Sequence, residues 1–261
     1  MELGLAGRVA VVTGASKGIG LAVTRALVGE GVHVVAGSRG TSDELDALVR
    51  DGSVEHVNVD LATAAGGAAL VEPATRAGRL DLLINNVGAV TPRLAGFLEV
   101  TDEQWLDSLT VNLMAAVRVT RAALPTMIAA GSGVVLTISS VNAILPDPLV
   151  IDYGASKAAL RNAFKALSKE VGSLGIRVNT ISPGPVATDL WLGDGGVAAA
   201  VARSSGTDPG AVAAHAAADS LTGRFTRPDE IADLVVFLAS DRAANITGAD
   251  VTIDGGLITT T

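Results

Sequence analysis

Tyr153 and Lys157 stand four positions apart in the stretch Tyr153-Gly154-Ala155-Ser156-Lys157, and a helix there would put both on one face. A phenol titrates near ~10, so alone it is a poor proton donor or acceptor at neutral pH. A cation held beside it favours the phenolate, which makes the pair a candidate general acid/base. Tyr153 is also the only tyrosine in the chain. The same spacing occurs on ordinary helix surfaces, so its weight depends on the rest of the sequence.

A second stretch, Thr13-Gly14-Ala15-Ser16-Lys17-Gly18-Ile19-Gly20, follows the apolar run at residues 8–13 and opens an apolar-periodic segment at 19–31. Glycines let the backbone turn tightly and approach a pyrophosphate, while a helix N-terminus offers amide donors and the positive end of its dipole. Strand before and helix after is the context in which such a cluster binds a nucleotide. The three histidines, His33, His56 and His215, lie far apart and near no acidic ligand pattern, so no metal is assigned.

These residues need a scaffold, and the pattern supplies one. In 261 residues, 49% are hydrophobic and only 3% aromatic, as suits Val- and Ile-rich strands between Ala-rich helices. Strands are predicted at 8–13, 32–37, 54–58, 80–85, 133–139, 176–182 and 250–254. The long helices are predicted over 102–130, 153–172 and 228–239, and Thr41 with Glu44 reads as a capping box. This alternation indicates an α/β domain spanning 1–261, with a parallel sheet of about seven strands and helices on both faces. Residues 193–218 are rich in Ala and Gly and predict short mobile helices within a substrate lid at 186–226.

Composition excludes other classes. Without cysteine there is no disulfide or thiolate chemistry, and a formal charge of −8 argues against a nucleic-acid partner. The longest apolar runs, such as Val9 to Val12, are too short to span a membrane. No basic segment precedes a long apolar run near Met1, so no signal peptide is expected and the cytoplasm is the default location.

The spacing G-x-x-x-G-x-G, taken with the Tyr–Lys pair, resembles the short-chain dehydrogenase/reductase family along essentially the whole chain. Further motifs recur in order: Asp60-Leu61; Asn85-Asn86-Val87-Gly88, where the family usually has Asn-Asn-Ala-Gly; Asn112; Ser140, thirteen residues before Tyr153; then Pro183-Gly184 and Thr188. The resemblance implies a Rossmann-type doubly wound fold and hydride transfer between a nicotinamide and a ketone or secondary alcohol. By it, Ser140 polarises the carbonyl, Tyr153 exchanges the proton, Lys157 lowers the phenol's pKa and holds the ribose, and Asn112 holds a relay water. Ser139 adjoins Ser140, and the family spacing selects Ser140. Gly14, Ser16, Lys17, Gly18, Ile19, Gly20, Asp60, Leu61, Asn86, Gly88, Pro183, Gly184, Val186 and Thr188 are the implied cofactor contacts, and Asn85 reads as a tether between strands. Ser38 stands where NAD-dependent relatives carry an acid, and Arg39 and Lys17 add cations, which favours NADP(H).

Substrate residues are expected at Leu145, Val150, Leu190 and Trp191, with Leu192 a further apolar candidate. The overall look is closest to 3-oxoacyl carrier-protein reductases. Yet 129–132 and 173–175, where that group carries basic residues for docking the carrier, hold none. A free, fairly apolar ketone is therefore the preferred substrate, with the carrier-protein reductase as alternative. A regulator that kept the fold and lost the chemistry is a third reading, against which the complete catalytic set speaks. The resemblance also implies a homo-oligomer, a tetramer ahead of a dimer, through the helices at 102–130 and 153–172. Their apolar residues on several faces, Phe164 among them, agree with that.

Overall fold

In the computed structural model, residues 2–76 and 78–259 are described. Seven strands, β1 (Val9–Thr13), β2 (His33–Ser38), β3 (Val54–Asn58), β4 (Leu82–Asn85), β5 (Gly133–Ile138), β6 (Ile176–Pro183) and β7 (Asp250–Ile253), form one sheet in the order β3-β2-β1-β4-β5-β6-β7. Every pairing is parallel. This is the doubly wound arrangement, in which strand order reverses between β1 and β4 and ligands settle beyond the strand ends at that crevice.

Neighbouring residues along each central strand go to opposite cores. Ala10 and Val12, Val34 and Ala36, and Leu82 and Ile84 pack on one side with Leu27, Leu45 and Val235. Val11, Val35 and Leu83 pack on the other with Leu70, Val119, Leu160 and Phe164. Burial on both faces is why these strands read as continuous apolar runs rather than alternating ones. The first layer is α1 (Gly18–Gly29), α2 (Asp43–Arg50) and, from the end of the chain, Pro228–Ala239; the second is α3 (Gly66–Arg76) with the two long helices of the middle of the chain.

The first of those long helices is broken. It runs as α4 (Asp102–Leu109), a π-helical turn (Thr110–Met114) and α5 (Ala115–Ala130). By length and a mean hydropathy of 1.3, the span Asp102–Ala130 could cross a membrane, contrary to what the short apolar runs imply. Here Ala115, Val119, Ala123 and Met127 seat it on the sheet. The second is α6 (Ile151–Val171), which begins two residues before Tyr153.

Two local expectations need correction and a third gains detail. The cap of α2 is Ser42, whose Oγ accepts from the Leu45 amide at 3.2 Å, while Thr41 hydrogen-bonds the Asp46 carboxylate instead. Phe164, offered as a subunit contact, is only 3% exposed and packs inside its own chain. The chain after β6 does form short helices, α7 (Asp189–Leu192), α8 (Val197–Ser205) and α9 (Pro209–Ala218), followed by α10 (Pro228–Ala239). Of these, α8 buries Val197, Ala198 and Ala202.

Candidate active site

A cavity of about 770 Å³ opens along the strand ends at the β1–β4 switch point. One end is built by the glycine turn. Gly14 adopts φ +67 and Gly18 φ +55, both in the region that disfavours side chains. Gly20 does not line the cavity; a Cβ there would sit 2.2 Å from the Gly14 carbonyl and 2.5 Å from Asn86 Nδ2. Its role is close packing that lets α1 meet the turn. Helix α1 carries no side-chain cap at Lys17 and no acid in its first turn, so its leading amides are left for a ligand. Ser16, Lys17, Ile19, Ser38, Arg39, Asp60 and Leu61 complete this wall.

Behind it, Ser38 Oγ donates to the Gly40 carbonyl at 2.6 Å and lies 2.9 Å from His56 Nε2. With its single proton given to a carbonyl, the hydroxyl must accept from the ring. His56, on β3, is therefore a structural histidine rather than a ligand, and no group of three or more metal-binding side chains occurs among the described residues.

The middle of the cavity holds the acid/base candidates. Tyr153 and Lys157 project from successive turns of α6, the ammonium 5.7 Å from the ring centroid. Lys157 is 2% exposed, and its Nζ donates to the Ile138 carbonyl at 2.9 Å. Burial pushes it down to about 8. Burial also raises the Tyr153 phenol above its ordinary value, while a hydrogen bond with Ser140 pulls the other way. The sequence leads one to expect Lys157 to lower the phenol; in this structure desolvation dominates. Ser140, at the end of β5, lines the cavity and also meets Asn142 at 3.3 Å. Ser139, its neighbour, points back toward the Lys157 carbonyl at 3.4 Å.

Asn112 lies in the π turn, 1% exposed, behind the cavity rather than on its wall. Its amide brackets the backbone of Ala89, with Oδ1 accepting from the Ala89 amide at 3.0 Å and Nδ2 donating to the Ala89 carbonyl at 2.9 Å. A Cβ on Gly88 would come within 3.0 Å of Asn112 Oδ1 and 3.3 Å of Lys157 Nζ. The bare glycine keeps a gap between those two groups. Asn85 is a tether, as its sequence context suggests: buried, its Nδ2 reaches Thr120 on α5 at 2.9 Å and Thr137 on β5 at 3.3 Å.

The far end holds the substrate candidates. Leu145, Val150, Leu190 and Trp191 all line the cavity, whereas Leu192 does not and is half exposed. Trp191 packs against Phe225 with centroids 5.5 Å apart. Asn142, Leu149, Ala216 and Leu257 also line it and were not singled out from the sequence. Asn142 was within reach, two residues past Ser140; Ala216 and Leu257 arrive from segments with no motif. Asn86, Gly88, Pro183, Gly184, Val186 and Thr188 bridge the two ends.

Buried Lys157 has a stability signature. Its folded pKa, about 8, lies below the usual lysine value, so between them the unfolded chain binds more protons and stability rises with pH. Relative to Lys157→Met, the wild type should gain up to about 3 kcal/mol of unfolding free energy across that whole window. Denaturant titrations at pH 8 and pH 10 check this. Equal slopes for the two proteins would mean that Lys157 is not a buried cation.

The family model described as enoyl-(acyl carrier protein) reductase matches residues 14–258. The chain is 38% identical to the L-xylulose reductase of Bos taurus over 263 residues, covering 100% of both. It is 32% identical to a 3-oxoacyl-[acyl-carrier-protein] reductase of Thermotoga maritima, covering 97% of this chain and 99% of that one. Among solved structures, L-sorbose reductase from Gluconobacter frateurii, complexed with NADPH and L-sorbose, superposes over 100% of both chains with a TM-score of 0.91 at 35% identity. A doubly wound sheet with a glycine turn and a Ser–Tyr–Lys cluster defines a nicotinamide-type oxidoreductase fold. The chain belongs to the short-chain dehydrogenase/reductase family.

Proposed function

We propose that this chain is an NADP(H)-dependent oxidoreductase that interconverts a free, fairly apolar ketone and its secondary alcohol. One observation carries the reading: Ser140, Tyr153 and Lys157 meet in the middle of a single cavity, between an uncapped helix N-terminus and an apolar chamber. The cofactor fits the first end. The α1 amides and the Gly14 turn take the pyrophosphate; Arg39 and Lys17, beside the uncharged Ser38, take the 2′-phosphate; Asp60 and Leu61 take the adenine side. Asn86, Gly88, Pro183, Gly184, Val186, Thr188 and Lys157 hold the ribose and nicotinamide. Bound there, the nicotinamide supplies or accepts a hydride.

The chain's own residues supply the rest. Ser140 donates to the substrate oxygen and polarises the carbonyl. Tyr153 gives its proton to the developing alkoxide. Burial raises the phenol and so disfavours the phenolate, and Tyr153 offers its proton from the neutral form. Lys157 stabilises the phenolate left behind, and the Ala89 backbone that Asn112 brackets would hold a water that relays a proton from solvent to Lys157.

The apolar lining by Leu145, Leu149, Val150, Trp191 and Leu257 favours an apolar ketone over a polyol. Similarity to L-xylulose and L-sorbose reductases, with Asn142 as a polar contact, supports a ketose as the second reading. A carrier-bound 3-oxoacyl substrate ranks below both, because 129–132 and 173–175 carry no basic residue. Following NADPH and NADH absorbance over a panel of aryl and alkyl ketones, ketoses and 3-oxoacyl thioesters tests the assignment. Fastest turnover is expected with NADPH and an apolar ketone; NADPH binding without turnover of any member would overturn it.

The cytoplasm, no membrane or nucleic-acid partner and a homotetramer, ahead of a dimer, belong to the same proposal. With Phe164 buried, exposed apolar side chains ahead of and along the broken helix, Phe97, Leu98, Leu106 and Ile128, are the surface offered for subunit contact. Light scattering at micromolar concentration should return a multiple of the 26.1 kDa chain. Residues 186–226 act as the lid, since Trp191, Val197 and Ala216 form cavity wall. Hydrogen exchange should show 193–218 slowing when NADPH and substrate are added together. No change there would leave these helices as fixed wall.

A further inference from the structure

Outside the cavity, one buried ion pair among the described residues is not used by the chemistry above. Asp152, the residue before Tyr153, has a side chain 2% exposed, and Arg93, in the loop between β4 and α4, one 12% exposed. Arg93 Nε donates to Asp152 Oδ2 at 3.1 Å, and Nη2 closes on the same oxygen. The Arg93 backbone amide donates to the Leu149 carbonyl at 2.7 Å. One residue thus grips the start of α6 by side chain and the cavity-lining turn before it by backbone.

The pairing is not ordinary helix capping. The residue before α6, Val150, offers no side-chain cap, and Asp152 Oδ1 is buried with no partner among the described residues. Exposed ion pairs contribute little, and a buried one is a costly way to gain stability; its best-attested use is to fix register. What is registered here is clear from its surroundings. The loop carrying Arg93 is pinned four residues earlier, where Asn112 brackets Ala89. On the other side of Tyr153, Lys157 fastens α6 to the Ile138 carbonyl at the end of β5. Tyr153 lies between these two attachments.

We propose that Arg93 and Asp152 are positioning residues for Tyr153: their buried ion pair sets the phenol and the Pro148–Val150 turn against Ser140, so that hydroxyl and substrate chamber keep one registration. The proposal rests on the reading of Tyr153 as the proton donor. Neither residue touches the cavity, so cofactor binding does not depend on them.

The test uses the full chain, with NADPH and the best ketone of the panel. Arg93→Met and Asp152→Leu should each lower kcat ten- to a hundredfold, the cost of a displacement of about an ångström at a reacting group. The NADPH dissociation constant should stay within twofold. The double variant Arg93→Met/Asp152→Leu buries no charge, so it should regain the wild-type melting temperature while kcat stays low. Its pH profile should keep the wild-type shape, because the lost pair is neutral as a unit. Arg93→Lys keeps the charge but not the paired donors, and should fall between. In Arg93→Met, amides at 149–157 should exchange faster; this readout is independent of turnover. Single variants that keep kcat within twofold overturn the proposal. So does a double variant that regains wild-type kcat or fails to fold, since the pair would then serve stability alone. A wild type that binds NADPH but reduces no ketone sinks the reductase reading instead, leaving the exchange result to judge the clamp.

Discussion

Tyr153→Phe should reduce ketone turnover by about a hundred- to ten-thousandfold, the range that a positioned general acid supplies, and leave NADPH affinity within about twofold. The substitution removes the one transferable proton at this point of the cavity and keeps the ring that packs beside Lys157. No neighbour can replace it. Ser140 must hold the substrate oxygen, and Lys157, fastened to the Ile138 carbonyl, is 2% exposed. The effect should fall on kcat and kcat/KM together, since the lost interaction is made with the developing alkoxide rather than with the ketone. Steady-state kinetics with NADPH fluorescence titration measure both quantities. A variant turning over at more than a tenth of the wild-type rate would remove Tyr153 from the mechanism.

Arg39→Asp should shrink or reverse the preference for NADPH over NADH by roughly ten- to a hundredfold. Arg39 lines the glycine-turn end of the cavity and makes no ion pair among the described residues, so its charge is available to a ligand. A charge-assisted hydrogen bond is worth about 1.5–3 kcal/mol, and every 1.4 kcal/mol is tenfold in affinity. An aspartate would repel a 2′-phosphate and accept from a ribose hydroxyl, so both cofactors should respond, in opposite directions. Lys17 remains in the variant, which is why the change stops short of abolishing NADPH binding. An unchanged ratio of dissociation constants, or a wild type that prefers NADH, would overturn the assignment.

By itself, the sequence determined whatever depends on local pattern. Strands buried on both faces need unbroken apolar runs, so β1, β4 and β5 were legible, as was the parallel sheet they build. The glycine turn was legible because Gly14 and Gly18 adopt backbone angles that other residues resist. Tyr153 and Lys157 were legible because four positions on a helix fix a face, whatever packs against it. Tertiary structure decided the rest, through contacts between residues far apart in the chain. Apolar spacing on α6 cannot say whether Phe164 meets its own core or a second subunit; packing with Val119 and Leu70 turned it inward. Composition cannot place the π turn that aims Asn112 at Ala89, nor bring Leu257 from the chain's end into the cavity. The charge state of the acid/base pair also came from the fold. Proximity alone argues for a lowered phenol, but desolvation is set by everything that covers the site, and it moves Tyr153 up and Lys157 down. The same holds for Arg93 and Asp152, separated by more than fifty residues and joined only because β4 and α6 deliver them to one spot.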